Sequence, residues 1–430
     1  MMRVVALDGL RWIASSHIVI FHRYRDWTGV PRVFAAWGQT WTQFFFIISG
    51  FVLGLSEIKK PPGAAEPSLS TYIIRRLRLL YPAYLLSLFF LLALHPHPTH
   101  FEWSVLPLHI KLLQSWFPWC VDLAGGNLNI QCSMEYWNRN SWFLSALLFF
   151  WIALRPVARA LRERSVACNI VIAFCCWSAS FVLECFDHSH RLAAMVGCNE
   201  MCMRSCSTIL RHSPWGYFHV LVVGIAVARV YFHYRARDDH ESAGPSVSVP
   251  AAILQAFVRY GCCLGFLAYS MLMFIAPTAI KTHHMFFHNG GLLPVQVIVI
   301  LGAAFGVDPL AVHVLSSRPM GWLGRLSYIQ YLMQGVVWSF LKGAVDNDHV
   351  VQIAYFPALV LFSWCCQRLW VESSEPEAAP ADGRSCIQKG MRPSVDKHTP
   401  SLVTYGAAEG VAADSSMLLE RSGAFVRSPA

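Results

Sequence analysis

The segment LDGLRWIASSHIVIFHRY, residues 7–24, is an apolar run that contains ionisable side chains, and it decides how the rest of the chain is interpreted. Its key members are Asp8, Arg11 and His22. On an α-helix, the spacing between Arg11 and His22 places their two side chains on nearly the same face, about 16 Å apart along the axis. Ionisable groups inside a membrane-length helix are expensive and mark function by default. The segment therefore predicts a membrane span with a polar stripe and an imidazole at one end.

The amino-acid composition indicates an integral membrane protein. It has 430 residues, of which 55% are hydrophobic and 14% are charged, whereas soluble domains average about 25% charged residues. Several apolar runs reach the roughly 20 residues that a helix needs to cross a bilayer. They lack period-2 alternation, and only helices or closed barrels satisfy the backbone in lipid. We therefore expect an all-α, polytopic transmembrane helical bundle of about ten spans.

The predicted spans lie near residues 4–24, 40–57, 73–94, 142–161, 166–186, 214–233, 251–275, 290–307, 320–342 and 350–371. Lysines and arginines concentrate at three connections on one side of this topology, around 58–78, 155–164 and 229–237. The positive-inside rule then predicts a multi-pass protein with both termini in the cytoplasm. Residues 1–371 form the predicted membrane domain, and 372–430 read as a disordered cytoplasmic tail because they are rich in Pro, Ala, Ser and Glu. The net charge of +9 is attributed to topology, not to binding of nucleic acid.

The loops on the opposite side are longer and contain histidines, tryptophans and cysteines. An extracytoplasmic side is oxidising, so these cysteines are disulfide candidates. The candidates are Cys120 with Cys132, and pairs within the group Cys185, Cys198, Cys202 and Cys206, whose connectivity the sequence leaves open. The histidines of these loops are irregularly spaced, and no metal site is predicted from them.

Histidine is the side chain best suited to take a proton near neutral pH, so His22 is a candidate general base for a hydroxyl at the outer end of the first span. The alternative is a helix-end histidine at the level of the lipid headgroups. Asp8 lies one turn before Arg11 and either belongs to the same polar stripe or simply neutralises the guanidinium.

Arginines form a second candidate site in the segment IIRRLRLLYPAYLL, residues 73–86, where Arg75, Arg76 and Arg78 start the third span. Cations at a helix start oppose the helix dipole. An anionic ligand, lipid phosphates or the topology rule alone would explain them. Arginine binds phosphate in a bidentate manner, and coenzyme A carries several phosphates.

Three further segments contain polar residues that either support chemistry or only pack helices together. FFFIISGFVLGL, residues 44–55, contains Ser49, and NSWFLSALLFFW, residues 140–151, contains Trp142 and Ser145. The late segment WLGRLSYIQYLMQ, residues 322–334, contains Ser327 and Tyr328.

These segments together resemble the acyltransferase 3 family of integral membrane proteins, in the same order and spacing over roughly residues 5 to 340. The spacing of Arg11 and His22 matches the family's first-helix pattern, in which both residues are treated as essential. There are departures. Leu79 stands where many members have arginine, no glutamate follows Ser145, and Gln334 stands where many members have histidine.

The resemblance implies transfer of an acyl group, usually acetyl, from cytoplasmic acyl-coenzyme A to a hydroxyl, typically of a glycan, on the other side of the membrane. It implies His22 and Arg11 as catalytic residues, to which the polar stripe adds Asp8. For the donor it implies the arginines at the start of the third span, either Arg75 with Arg78 or Arg76 alone. Acyl-coenzyme A is then a co-substrate, with no bound cofactor and no metal, and the partners are lipids and the acceptor. Direct transfer and an acylated His22 both remain open. The alternatives are a proton-coupled transporter, with the same three residues as a relay, and a non-catalytic scaffold or receptor.

Overall fold

The computed structural model describes residues 5–24, 28–61, 63, 65–95, 97–117, 120–122, 130–188, 208–238 and 249–374, and the statements below refer to these residues. The predicted tail beyond Ser374 lies outside them, as do Cys198, Cys202 and Cys206.

The described chain is built from long helices. Those of nine residues or more are α1 (Val5–Tyr24), α2 (Gly29–Trp37), α3 (Trp41–Ile58), α4 (Leu69–Leu94), α5 (His100–Ile110), α6 (Trp142–Arg162), α7 (Val166–His188), α8 (Phe218–Asp238), α9 (Val249–Ile275), α10 (Leu293–Phe305), α11 (Arg318–Ala344) and α12 (Asp348–Ser374). Ten of them coincide with the ten predicted spans. The other two are α2, which leads into α3, and α5, which at 11 residues is too short to cross a bilayer.

The predicted helical membrane bundle is confirmed, and eight helical segments are long and apolar enough to cross a membrane. They are Gly29–Ile58, Leu69–Leu94, Arg139–Arg162, Val166–Cys185, Pro214–Ala236, Ala256–Ile275, His284–Phe305 and Asp348–Leu369. The two predicted spans outside this set, α1 and α11, are long enough but more polar. They pack along each other in the same direction, with Gly324 against Asp8 at one end and the Gln334 carbonyl 3.4 Å from Arg23 Nη2 at the other. Protein therefore covers much of their polar surface.

The long helices alternate in direction across the bundle. We call the side on which α1 begins the near side, and the side on which it ends the far side. Arg162 Nη1 donates to the Lys60 carbonyl at 3.1 Å, so α3 and α6 both end on the near side. Tyr24 donates its hydroxyl to the Gln352 carbonyl at 2.8 Å, so α12 starts on the far side. The near side is the one predicted to be cytoplasmic.

One small element departs from the all-α prediction. Strands β1 (Cys120–Asp122) and β2 (Ile130–Cys132) form a two-stranded antiparallel ladder in the far-side connection between α5 and α6. Cys120 lies opposite Cys132 in this ladder, and Cys132 is disulfide-bonded. This register agrees with the predicted Cys120–Cys132 pairing, whereas Cys185 is a free thiol.

Helices α3 and α8 approach each other closely because glycines meet at their contact. A Cβ atom at Gly224 would lie 2.3 Å from the Ile47 carbonyl oxygen, and one at Gly50 would lie 2.5 Å from the Leu221 carbonyl oxygen. Small residues permit such backbone contact between membrane helices. This contact fixes the position of α3, which carries part of the candidate site.

We expect Gly224→Ala to lower the melting temperature of the purified protein in detergent, measured by tryptophan fluorescence. The added methyl group would force the two backbones apart, and overpacking costs about 1–3 kcal/mol. Gly343→Ala is the matched control, because a Cβ at Gly343 meets nothing within 4 Å. Equal melting temperatures for the two variants would show that the α3–α8 contact is not tight.

Candidate functional site

The three residues predicted to be catalytic all lie on α1, but the structure does not bring them together. Asp8 is buried near the start of the helix, where it accepts a hydrogen bond from Arg11 Nη1 at 3.0 Å. His22 lies about three turns beyond Arg11, about 16 Å along the axis. Asp8 and Arg11 therefore form an ion pair on the near side, and His22 belongs to the far side.

His22 lies beside residues that join α1 to α11. It is half-buried, and its ring centroid is 5.1 Å from that of Phe21. The guanidinium of Arg23 lies over the Trp338 ring, 4.9 Å from the centroid. Gln334 is fully buried at this level, and its Oε1 accepts no hydrogen bond from the described residues. The His22 imidazole and the unused amide oxygen of Gln334 therefore lie at the same end of the bundle.

A second histidine of the same helix has a structural role. His17 is buried, and its Nδ1 accepts a hydrogen bond from Trp41 Nε1 at 2.8 Å. Its Nε2 must then carry the proton, which it donates to the Phe34 carbonyl at 2.7 Å. Since both ring nitrogens are engaged, His17 holds the α1–α2–α3 corner together and has no free lone pair for acid–base chemistry.

A pair of guanidinium groups encloses Tyr72 on the near side. The Arg76 guanidinium carbon lies 3.8 Å from the Tyr72 ring centroid, and that of Arg155 lies 4.2 Å from it. Arg155 is buried and donates from Nη1 to the Pro67 carbonyl at 2.7 Å. Its Nε and Nη2 make no hydrogen bond to the described residues, although Nε lies 4.0 Å from a carboxylate oxygen of Glu57. Buried N–H groups of this kind bind an anionic ligand well.

Only one of the three predicted donor-binding arginines contributes to this pair. Arg75 and Arg78 are exposed on the other face of α4, whereas Arg76 turns inward. Sequence reasoning missed Arg155, because it was grouped with the basic residues that mark the end of the span. One signal in the sequence could have singled out Arg155. It lies one helical turn deeper in the apolar run than Arg159.

The five predicted supporting residues all have partners within the protein. These partners are the Phe45 carbonyl for Ser49, the Tyr217 ring for Trp142, the Ser115 amide for Ser145, the Gly324 carbonyl for Ser327 and the Leu80 carbonyl for Tyr328. Ser145 and Ser327 are buried and hold backbone in place. Their contacts are those of packing residues.

Ser49 differs from the others because it lies on a half-buried stripe of α3. The stripe comprises Phe45, Ser49, Val52 and Ser56, which are spaced like successive turns of one helix face. Its far-side end, Phe45, lies 6.3 Å from the ring of Tyr331 on α11. Phe45 also lies 5.7 Å from the ring of Phe143 on α6. The far-side end of the stripe therefore packs against α6 and α11.

A buried histidine outside the spans anchors the far-side connection. His109 of α5 donates from Nε2 to the Ser133 carbonyl at 2.7 Å, and its own carbonyl accepts from the Tyr84 hydroxyl at 2.8 Å. Burial lowers the pKa of His109 to about 4, although the bond to Ser133 opposes this shift. The imidazole is therefore neutral in the folded protein at physiological pH.

We expect the stability of the protein to fall as the pH drops from about 6.5 toward 4, since the unfolded chain binds a proton at His109 that the folded chain refuses. Between pH 7 and pH 5 the expected loss is about 2 kcal/mol. Melting temperatures measured across this range should fall less steeply for His109→Gln than for the native protein. The exposed His349→Gln serves as the control, and parallel curves for all three proteins would rule out this role of His109.

The fold and these groups define an integral, multi-pass membrane protein with a buried pair of guanidinium groups on the near side and a histidine at the far end of α1. A family model described as an acyltransferase domain matches residues 4–368, nearly the whole described chain. The chain belongs to this acyltransferase 3 family and is a membrane acyltransferase, which confirms the resemblance seen in the sequence. No curated protein and no solved structure matches it significantly.

Proposed function

We propose that this acyltransferase moves an acetyl group from acetyl-coenzyme A on the near side, which is then the cytoplasmic side, to a hydroxyl of a glycan on the far side. The observation that carries the proposal is the arrangement of α1 and the arginine pair. A pair of guanidinium groups lies on one side of the bundle, and an imidazole lies at the end of α1 on the other.

The arginine pair suits the phosphates of the donor. Arg155 offers two buried N–H groups without hydrogen-bond partners among the described residues, and Arg76 lies across the same tyrosine ring. Arginine binds phosphate oxygens through two parallel hydrogen bonds. Coenzyme A is a long molecule whose thioester lies at the opposite end from its nucleotide phosphates. It can therefore extend along the half-buried stripe of α3 and bring the acyl group toward His22.

His22 then acts on the acceptor. In direct transfer, the imidazole removes the proton of the acceptor hydroxyl while the oxygen attacks the thioester carbonyl. The C–S bond breaks, the ester C–O bond forms, and the proton passes to the departing thiolate. In the alternative, a ring nitrogen of His22 attacks the thioester carbonyl, the C–S bond breaks, and coenzyme A leaves as the thiol with the proton of the imidazole. The acceptor hydroxyl then attacks the acyl-imidazole, the C–N bond breaks as the ester C–O bond forms, and the imidazole takes the hydroxyl proton. The unused oxygen of Gln334 lies at the level where the acceptor would bind.

The proposal is tested by acyl transfer in sealed membrane vesicles of known orientation that contain this chain. Labelled acetyl-coenzyme A is supplied to one face only, and a panel of glycans and lipids is supplied to the other. Label should appear in a glycan only when the donor is on the near side. Vesicles without the chain give the background. Transfer with the donor on the far side would overturn the proposed sidedness. If no acceptor becomes labelled, the proposed glycan acyltransferase activity is contradicted.

A further inference from the structure

Two arginines of α4 have no role in the site described above. Arg75 and Arg78 are both exposed, and neither makes a hydrogen bond or an ion pair with the described residues. Their neighbour Arg76 points the other way, with its guanidinium carbon 3.8 Å from the Tyr72 ring centroid. Arg75 and Arg78 therefore lie on a different face of α4 from the guanidinium pair.

The face of α4 that carries these arginines is otherwise apolar. Leu79 is 71% exposed and Phe89 is 64% exposed, and Leu85 is exposed as well. Arg78, Leu85 and Phe89 lie nearly in line along the helix, because residues seven and eleven positions apart return to almost the same direction. Helix α4 is long and apolar enough to cross a membrane, so an exposed apolar face of this kind contacts lipid chains. Arg75 and Arg78 therefore face the bilayer.

The depth of the two arginines distinguishes them from cations that only mark the end of a span. Helix α4 has 26 residues and is about 39 Å long, whereas the hydrocarbon core of a bilayer is about 30 Å thick. In a centred helix, the Cα atoms of Arg75 and Arg78 lie about 5 and 9 Å inside the near-side boundary of that core. A charge at this depth is costly unless its long side chain reaches the layer of headgroup phosphates.

The spacing of Arg75 and Arg78 allows both to bind one phosphate group. Residues three positions apart on a helix are surface neighbours, with about 5–6 Å between their Cβ atoms. A guanidinium binds phosphate oxygens through two parallel hydrogen bonds. The near-side carboxylates of Glu57 and Glu66 are paired with other cations, Lys60 and Arg159. The two guanidinium groups therefore attract an anion from outside the described protein.

We propose that Arg75 and Arg78 bind the headgroup phosphate of an anionic phospholipid, whose acyl chains lie along the exposed apolar face of α4. A zwitterionic lipid is disfavoured, because its ammonium group would lie beside two guanidinium groups. Two basic residues at a membrane surface favour an anionic lipid by roughly 10–30-fold. This ligand is distinct from the acyl donor, whose proposed phosphate site is formed by Arg76 and Arg155 on the other face of the helix.

The test identifies the lipids that stay bound to the protein. Purified full-length protein in detergent is incubated with equal amounts of phosphatidylglycerol and phosphatidylcholine that have the same acyl chains, and bound lipid is identified by native mass spectrometry. We expect phosphatidylglycerol to be retained about tenfold or more over phosphatidylcholine. The double variant Arg75→Gln/Arg78→Gln should retain the two lipids almost equally. Arg75→Lys/Arg78→Lys should keep part of the preference, because an ammonium group binds phosphate without the parallel hydrogen bonds.

Arg164→Gln is the matched control, since Arg164 is an exposed near-side cation in the connection between α6 and α7. Its replacement should leave the lipid preference unchanged. The melting temperature without added lipid verifies that each variant is folded. Soluble glycerol 3-phosphate, which lacks acyl chains, should not displace the bound phosphatidylglycerol.

Four results would overturn the proposal. They are equal retention of the two lipids by the native protein, an unchanged preference in the double glutamine variant, the same loss of preference in Arg164→Gln, and displacement by glycerol 3-phosphate, which would make a soluble phosphate the ligand. If the glutamine variant does not fold, the lysine variant decides, and an undiminished preference in it overturns the proposal.

Discussion

Replacing His22 with alanine is expected to lower the rate of acyl transfer by about 10²–10⁴-fold, the usual effect of losing a general base. His22 is the α1 histidine proposed for acid–base chemistry, because both ring nitrogens of His17 are engaged in structural hydrogen bonds. The rate should be measured in vesicles with labelled acetyl-coenzyme A at matched expression, after folding has been verified by the melting temperature.

His349→Ala is the matched control for this experiment. His349 is an exposed histidine at the far-side start of α12, so its loss should leave both the rate and the melting temperature unchanged. A His22→Ala protein that is folded and transfers label at the native rate would remove His22 from the mechanism. An acyl-histidine trapped in acid-quenched samples of the native protein would favour the two-step route over direct transfer.

Replacing Arg155 with glutamine is expected to raise KM for the acyl donor by about 10–100-fold, because a buried charge-assisted contact to phosphate is lost. The effect on kcat should be smaller, since Arg155 lies far from the reacting atoms. Arg155→Lys should recover only part of the affinity, because an ammonium group cannot make the parallel pair of hydrogen bonds. Initial rates measured over a range of donor concentrations separate the two constants.

Arg159→Gln provides the comparison on the same helix. Arg159 lies one turn closer to the near-side surface, is largely exposed and is paired with Glu66. Its replacement should change KM little, since exposed ion pairs contribute at most about 1 kcal/mol. If Arg155→Gln and Arg159→Gln have the same KM for the donor, then the buried guanidinium pair is not the phosphate site.

The sequence predicted the bundle well because the signals for membrane helices are local. The ten predicted spans coincide with ten long helices, and α1 begins and ends within one residue of its predicted bounds. The short β1–β2 ladder was missed, because strands of three residues in a connecting loop leave no periodic pattern. The positions of Arg75 and Arg78 could not be foreseen, since which face of α4 turns inward depends on its neighbours.

The candidate site was predicted less completely because it depends on contacts between distant parts of the chain. A shared helix face suggested that Asp8, Arg11 and His22 act together, yet the rise along the axis separates them. Arg155 and Tyr72 lie on different helices, and no local pattern pairs them. His17 and His22 look alike in the sequence, and only the packing of α2 and α3 shows that His17 has a structural role.

The pairing of α1 with α11 has a consequence for how the protein is made. Helix α1 carries Asp8 and Arg11, and an isolated membrane helix is disfavoured by about 2.5–3.5 kcal/mol for each charge near its centre. The helix that packs along it, α11, starts at Arg318 and is synthesised only after the spans that lie between them in the chain. Helix α1 must therefore wait in the translocon or the bilayer with provisional partners until those spans have been inserted. Premature stops before Arg318 should leave an incompletely assembled membrane domain, which is a natural target for quality control.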